Sequence, residues 1–259
     1  MHTLRQLSAL IRLSLYDLYR RKDLVIVTIL AVVVLVPMSF ATPFGIKGAS
    51  RYLNEISLLL VWLFVLVIAM TRTARIIPTE IDSRTIYPLL AKPASRTVIL
   101  LGRYAGVLIA SLSVLLLFYG LYALINTMKS AFFPWEVFIQ ALLLHISFVI
   151  LVTALALLGS LFFNSDANLS VSGILIAGMI LYGQQLPVLA AEHSLPIRAI
   201  LHILYWLAPH CELFDMRTRL IHHWPAIPWL ACFCIFLYAL AYAAFCFGIA
   251  TWLFNRKKV

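Results

Sequence analysis

The chain has 259 residues, of which 63% are hydrophobic and only 12% are charged, against about 25% charged residues in an ordinary soluble domain. This composition excludes a soluble enzyme, because several apolar runs reach the roughly 20 residues that a membrane-spanning helix requires. The net charge is +10, but the basic residues lie beside apolar runs, as topology signals and lipid-phosphate contacts do, so nucleic-acid binding is not expected.

Residues 1–23 are predicted to form an amphipathic helix on the cytoplasmic membrane surface. Apolar residues recur at helical spacing from Leu4 to Leu18, while Arg5 and Arg12 lie off that stripe. Such a helix suits the inner leaflet just before a first span, and packing on the chain's own domain is an equal alternative. The basic segment is too long for a signal peptide, so the first apolar run is expected to be retained.

Six transmembrane helices are predicted in residues 24–259, which makes the fold class an all-α membrane protein with one six-span domain. The spans are Leu24–Ala41, Ile56–Thr71, Thr97–Ile125, Trp135–Phe163, Leu169–Ala191 and Pro228–Phe254. Between the fifth and sixth spans, Ile197–Leu207 is apolar but too short to cross the bilayer. It is interpreted as a re-entrant or interfacial helix.

The distribution of basic residues predicts the orientation. Fourteen of the 20 Lys and Arg residues lie in residues 1–23, 72–103, 164–168 and 256–258, which are the terminal segments, the even-numbered loops and the first residues of the third span. The other six lie in the odd-numbered loops. Since cytoplasmic loops carry the excess of positive charge, both termini are expected in the cytoplasm of a bacterial inner membrane.

The segment between the second and third spans is predicted to contain a short amphipathic helix. Thr79 is its expected N-cap, and Glu80 and Asp82 would then stand in its first turn, where carboxylates suit the helix dipole. Ile81, Thr85 and Leu89 would share one face, and Pro88 would end or kink the helix.

The same segment resembles a known family. Glu-x-Asp-x-x-Thr is followed by Leu-Leu, Lys-Pro, Ser-Arg and Leu-Leu-Gly-Arg-Tyr-Ala-Gly between Glu80 and Gly106. This pattern is similar to the first cytoplasmic loop of type-2 ABC transporter permeases, and closest to the branch associated with multicopper-enzyme maturation. Arg84 stands where that family commonly has glycine, a change that leaves the helix intact because arginine is the better helix former.

The resemblance implies that this short helix is a coupling helix, which sits in a groove of a separate ATPase subunit. The contact would be made by Glu80, Asp82, Arg84, Thr85 and Leu89, with Asn164 and Asp166 offering a second, smaller one. Two ATPase copies and a second, identical permease chain are implied as partners. ATP and Mg²⁺ would bind the ATPase, and no cofactor is expected on this chain.

The residues also favour an energy source outside the chain. The third to sixth spans hold only Arg103, Glu136 and His145 as ionisable groups apart from tyrosine and cysteine, whereas ion-coupled transporters keep such groups at membrane depth. No phosphate-binding G-x-x-x-x-G-K-[ST] motif is present. The sequence therefore predicts the permease subunit of an ATP-driven exporter of a hydrophobic or amphipathic substrate. An intramembrane enzyme or a membrane scaffold without transport is the alternative.

Three further groups of residues have a possible functional or packing role. His210, Cys211, His222 and His223 are secondary candidates for metal ligands, but their spacing matches no standard motif and no metal site is predicted. His145 is interpreted as a hydrogen-bonded core histidine in preference to a haem ligand or proton relay. Gly173 and Gly178 are predicted to permit close helix packing, and the family resemblance implies that this packing occurs at a dimer interface.

Overall fold

The computed structural model describes residues 11–12, 16, 29, 33, 49–82, 95–129, 133–183, 185–192 and 194–256. The predicted interfacial helix (residues 1–23) and the predicted first span (Leu24–Ala41) lie outside these ranges except at isolated positions. Residues 83–94, which include Arg84, Thr85 and Leu89, also lie outside them.

Every regular element in the described ranges is a helix. The helices are α1 (Ala49–Ala74), α2 (Ile76–Asp82), α3 (Arg96–Lys129), α4 (Trp135–Gly159), α5 (Ser165–Tyr182), α6 (Leu186–Glu192), α7 (Leu195–Leu207), a 3-10 turn (Cys211–Phe214), α8 (Arg217–Ile221) and α9 (Trp229–Arg256). Five of them, α1, α3, α4, α5 and α9, are long and apolar enough to cross a membrane. They correspond to the predicted second to sixth spans, so the all-α membrane fold is confirmed.

The bounds of the predicted fifth span are wrong at both ends. The structure starts this helix at Ser165, with Asn164 as N-cap, so the expected polar turn from Asn164 to Asn168 is mostly helical. The helix ends at Tyr182, because Gly183 follows and Pro187 in α6 breaks the run that hydropathy alone extended to Ala191. The 18 residues of α5 are correspondingly short for a span.

Helix α4 lies at the centre of the bundle. About two thirds of its apolar window is buried (67%), against at most 44% in the other four candidate spans. Its buried side chains include the polar residues Gln140, His145, Ser147 and Thr153. The helices α1, α3, α5 and α9 all pack against it.

The two ends of the helix bundle are named after the short helix that lies at each. The α2 end holds α2, the start of α3, and the last turns of α4 and α9, whose side chains form one hydrophobic cluster. The α8 end is the opposite one, where residues of α8 pack with the first half of α1 and of α4 and the last half of α3.

The connection between α5 and α9 is not a surface loop. Residues 208–221, called the inserted segment from here on, comprise the 3-10 turn and α8, and most of their apolar side chains are buried. Cys211 and Phe214 belong to the central core with residues of α1, α4 and α5, and Leu220 and Ile221 join the core at the α8 end. The helix predicted at Ile197–Leu207 is present as α7, but the segment that enters the bundle follows it.

Candidate functional site

The α2 end is built around a small hydrophobic cluster that connects four elements. Ile77 of α2 is buried against Leu100 of α3, Leu157 of α4 and Phe254 of α9, and Leu161 and Ile81 complete the contact. Pro78 is tolerated here because it occupies the first turn of α2, where its missing N–H has no intrahelical partner to lose. Helix α2 is therefore attached to the ends of three candidate spans.

The other side of the α2–α3 loop is fixed to the same spans. Arg96, the first residue of α3, donates a hydrogen bond from its guanidinium to the Phe254 carbonyl oxygen of α9 (3.0 Å). This carbonyl lies in the last turn of α9, where a cation satisfies an unpaired acceptor and complements the dipole. The same guanidinium carbon lies 5.9 Å from the centre of the Phe254 ring. Residues 83–94 are thus held at both ends by the bundle.

The corner between α4 and α5 is locked by one buried amide. Asn168 donates from Nδ2 to the Ala156 carbonyl oxygen (2.8 Å) and accepts at Oδ1 from the Ser172 hydroxyl (3.1 Å). Its side chain also lies directly against Gly159, leaving no room for a Cβ there. This contact fixes the angle between the two helices.

The corner presents two of the predicted coupling residues. Asn164 caps α5 by accepting a hydrogen bond at Oδ1 from the Ala167 backbone N–H (3.0 Å), and Asp166 stands exposed in the first turn. Phe162 and Phe163 beside them are exposed as well. The Leu161 side chain joins this corner to the α2 cluster.

The structure changes the expected position of the first two coupling residues. Helix α2 begins at Ile76, three residues before the predicted cap Thr79, and follows α1 after the single turn residue Arg75. Glu80 and Asp82 therefore stand at its C-terminal end, not in its first turn. Arg84, Thr85 and Leu89 lie outside the described residues, and their predicted roles stay predictions.

A second polar site lies at the α8 end, where the inserted segment meets α1, and its two charged side chains are partly exposed. Arg217 of the inserted segment forms a bidentate ion pair with Asp215, with distances of 2.9 Å from Nε to Oδ1 and 2.6 Å from Nη2 to Oδ2. Its guanidinium carbon lies 5.1 Å from the ring centre of Trp62 in α1. Burial raises the pKa of Asp215, but the hydrogen bonds and positive charge of Arg217 outweigh it and hold that pKa below its ordinary value.

His145 is buried in α4 and adjoins this ion pair. It lies ten residues after the start of α4, about 15 Å along the helix axis and half of a roughly 30 Å bilayer core. Its Nδ1 is 3.2 Å from the Tyr119 hydroxyl, and its ring centre is 5.8 Å from that of Trp62. It is a buried core histidine, as predicted. Its Nε2 and the Trp62 Nε1 are buried without a hydrogen-bond partner among the residues described.

The secondary metal candidates are not assembled into a ligand set. His210 Nδ1 lies 3.4 Å from Glu212 Oε1, and Cys211 is buried, whereas His222 and His223 are exposed. In the part of the chain that the structure describes, no three His, Cys, Asp or Glu side chains stand close enough to hold a metal ion.

The two glycines predicted at a dimer interface have different surroundings. A Cβ added at Gly173 would lie 3.8 Å from the Met70 Cε of α1, so Gly173 packs against this chain's own helix. A Cβ at Gly178 would meet no atom within 4 Å in the described ranges. Gly178 therefore has room for closer packing, and the predicted dimer interface stays a prediction.

The family of this chain follows from comparison with models of known protein families. Residues 9–259 match the model of the ABC-2 family transporter protein. The chain belongs to this family. No curated protein matches the chain significantly. As an ABC-2 family member with five candidate spans in its described part, the chain is a multi-pass membrane protein and a transporter membrane subunit.

Sequence reasoning missed the ion pair between Asp215 and Arg217 in this ABC-2 protein. Asp215 and Arg217 were counted with a polar connection outside the bilayer, and the spans were therefore described as nearly free of charge. The apolar residues Phe214, Leu220 and Ile221, which flank the pair, carried a signal that this connection is buried.

Proposed function

We propose that this chain is the permease subunit of an ATP-driven exporter whose ATPase partner binds at the α2 end. The α2 end then faces the cytoplasm of a bacterial inner membrane, and both termini lie on that side. The basic residues support this orientation, since Arg72, Arg96 and Arg256 lie at the α2 ends of their helices and Arg75 lies in the turn between α1 and α2.

The observation that carries the proposal is the double attachment of the α2–α3 loop. On one side the loop follows α2, whose Ile77 is buried among the ends of α3, α4 and α9, and on the other side Arg96 bonds to the Phe254 carbonyl of α9. A force applied to residues 83–94 by a partner is therefore transmitted to three spans together. A loop with no mechanical role would not need both contacts.

The partner contact is proposed at the residues that the family resemblance indicates. Glu80, Asp82, Arg84, Thr85 and Leu89 meet a groove of the ATPase, and Asn164 and Asp166 at the α4–α5 corner form the smaller contact. ATP and Mg²⁺ bind on the ATPase, of which two copies serve two permease chains. The rigid Asn168 lock keeps the second contact at a fixed distance from the first.

The proposed cargo is hydrophobic or amphipathic. The candidate spans present many apolar side chains outward and hold few charges, and the charges of Asp215 and Arg217 compensate each other. An intramembrane enzyme or a scaffold without transport is the competing interpretation, and it requires no ATPase.

Co-purification with candidate ATPase subunits, followed by measurement of ATP turnover in lipid nanodiscs, tests the proposal. Glu80→Ala and Leu89→Ala are expected to reduce both association and permease-dependent turnover. Glu192→Ala, an exposed carboxylate at the far end of α6, is the matched control and is expected to change neither. If no ATPase associates, or if the two coupling variants behave as the control does, the coupling proposal is wrong.

A further inference from the structure

We propose that the last turn of α9 is a binding site for the phosphate headgroup of an anionic phospholipid, built by Arg256 stacked on Trp252. The acyl chains of this lipid lie along the exposed apolar face of α9. The inference goes beyond the proposed ATPase partnership and does not depend on it.

The exposed face of α9 needs an apolar partner. Less than a quarter of the apolar window of this helix is buried (22%). Every exposed residue between Trp229 and Trp252 is hydrophobic or glycine, and the large ones include Phe233 and Phe245. In a multi-pass membrane protein such a face is covered by lipid or by another helix.

Two tryptophans mark the ends of this face. Trp229 and Trp252 are both half-exposed, and they are 23 positions apart in the helix, which corresponds to about 35 Å along its axis. Since the hydrocarbon core is about 30 Å thick, both rings lie at headgroup level when α9 spans the bilayer. Tryptophan is enriched at these two levels because its ring is apolar and its N–H is polar. A helix–helix contact has no reason to place an indole at each level, so the spacing favours lipid.

The two tryptophans have partners of opposite charge. The Trp229 Nε1 donates a hydrogen bond to the Glu136 Oε1 of α4 (3.2 Å). The Trp252 ring instead carries the Arg256 guanidinium, whose carbon lies 4.0 Å from the ring centre. The face of α9 is therefore acidic at the α8 end and basic at the α2 end, and only the basic end attracts an anionic headgroup.

The stacking holds Arg256 at the level of the headgroups. Helical side chains point towards the N-terminus, and Arg256 follows Trp252 by four positions, so its guanidinium reaches back one turn onto the ring. Both residues are exposed at the surface of the bundle. A guanidinium lying on a ring keeps the N–H donors along its edge available, and this edge matches two oxygens of a phosphate. In the sequence, Lys257 and Lys258 follow directly and add positive charge.

The other arginines that stack on rings in the described ranges already have protein acceptors. These acceptors are the Phe254 carbonyl for Arg96, the Asp215 carboxylate for Arg217 and the Pro225 carbonyl for Arg219. Among the described residues, no acceptor or carboxylate is paired with the Arg256 guanidinium. A lipid phosphate supplies the missing acceptor.

The experiment measures which lipids contact Trp252 in the full chain, reconstituted in phosphatidylcholine vesicles. The vesicles contain a small, equal mole fraction of either phosphatidylglycerol or phosphatidylcholine with brominated acyl chains, because bromine quenches tryptophan fluorescence on contact. The Trp252 contribution is the difference between the unaltered chain and Trp252→Phe. Brominated phosphatidylglycerol is expected to bind about fivefold more tightly than brominated phosphatidylcholine, which is the factor that one basic residue contributes near an anionic surface.

Arg256→Gln is expected to bring this ratio close to one, while both lipids still quench Trp252. Arg75→Gln is the matched control, since Arg75 is an exposed arginine at the same end that stacks on no ring in the described ranges, and it should leave the ratio unchanged. The Trp229 contribution, obtained from Trp229→Phe, should show no preference for phosphatidylglycerol. A preference at Trp252 that persists undiminished in Arg256→Gln would overturn the site.

Two other outcomes would identify a different occupant and contradict the proposal. Absence of Trp252 quenching by either lipid would mean that protein, such as a second copy of the chain, covers this face. Loss of the phosphatidylglycerol preference in millimolar inorganic phosphate, at matched ionic strength, would mean that the site takes free phosphate. No ATPase is present in these measurements, so failure of the lipid site is distinguishable from failure of the proposed partnership.

Discussion

The lock at the α4–α5 corner can be tested by a double-mutant cycle on Gly159 and Asn168. A Cβ at position 159 would overlap the Asn168 Oδ1, so Gly159→Ala forces the amide out of its pocket. Displacement costs the hydrogen bonds to Ala156 and Ser172 and adds overpacking, together about 2–4 kcal/mol. Asn168→Ala alone removes the same two hydrogen bonds and costs about 2–3 kcal/mol.

The double variant separates this mechanism from general weakening of the bundle. Once Asn168 is alanine, the new methyl group at position 159 has space, and the hydrogen bonds that it would displace are already absent. The double variant is therefore expected to cost about as much as Asn168→Ala alone, so the coupling energy should equal in magnitude the cost of Gly159→Ala, roughly 2–4 kcal/mol. Independent effects would instead add.

Reversible unfolding in mixed micelles, followed by tryptophan fluorescence across a denaturant titration, measures these free energies. Gly120→Ala is the control, because a Cβ there would meet no atom within 4 Å in the described ranges and Gly120 also lies within a helix. Additive costs in the double variant, or a harmless Gly159→Ala, would refute the close-contact reasoning.

Three other perturbations have defined outcomes. Gln140→Leu should lower the unfolding free energy by about 2–4 kcal/mol, because it leaves the Ile227 N–H and carbonyl unpaired. Gln140→Glu should lower the unfolding free energy by a smaller amount. Arg96→Gln should cost about 1–2 kcal/mol by weakening the bond to Phe254, and ATPase coupling should fall with it. The difference in unfolding free energy between the unaltered chain and Asp215→Asn should stay constant as the pH is lowered from neutral to about 4. It should vanish only as the pH falls further, through the folded-state pKa of Asp215, which lies below 3.8.

The apolar runs were sufficient to predict most spans because the bilayer demands length and hydropathy of each spanning helix. The apolar runs did not predict the ends of helices that are determined by proline or glycine. Pro187 was included in the predicted fifth span, but it stands in the first turn of a separate helix, α6, where proline is tolerated. Gly183 ended α5 earlier than its hydropathy indicated.

The internal polar contacts were beyond sequence reasoning for a different reason. Gln140 and Asn168 look like ordinary polar residues in or near spans, and their partners are backbone groups 87 and 12 positions away. Asp215 and Arg217 belong to a connection that was predicted to lie outside the bilayer, and no pairing between them was predicted. Only the three-dimensional fold shows that their segment is enclosed by α1, α3 and α4.

The shortness of α5 has a consequence for the surrounding lipid. Its 18 residues extend about 27 Å, less than a typical hydrocarbon core of about 30 Å, whereas the 34 residues of α3 extend about 51 Å. Lipid beside α5 must become thinner to match it, and lipid beside α3 has no such constraint. Because α5 carries one side of the α4–α5 corner and contacts the inserted segment, acyl-chain length would act on both ends of the bundle through this one helix.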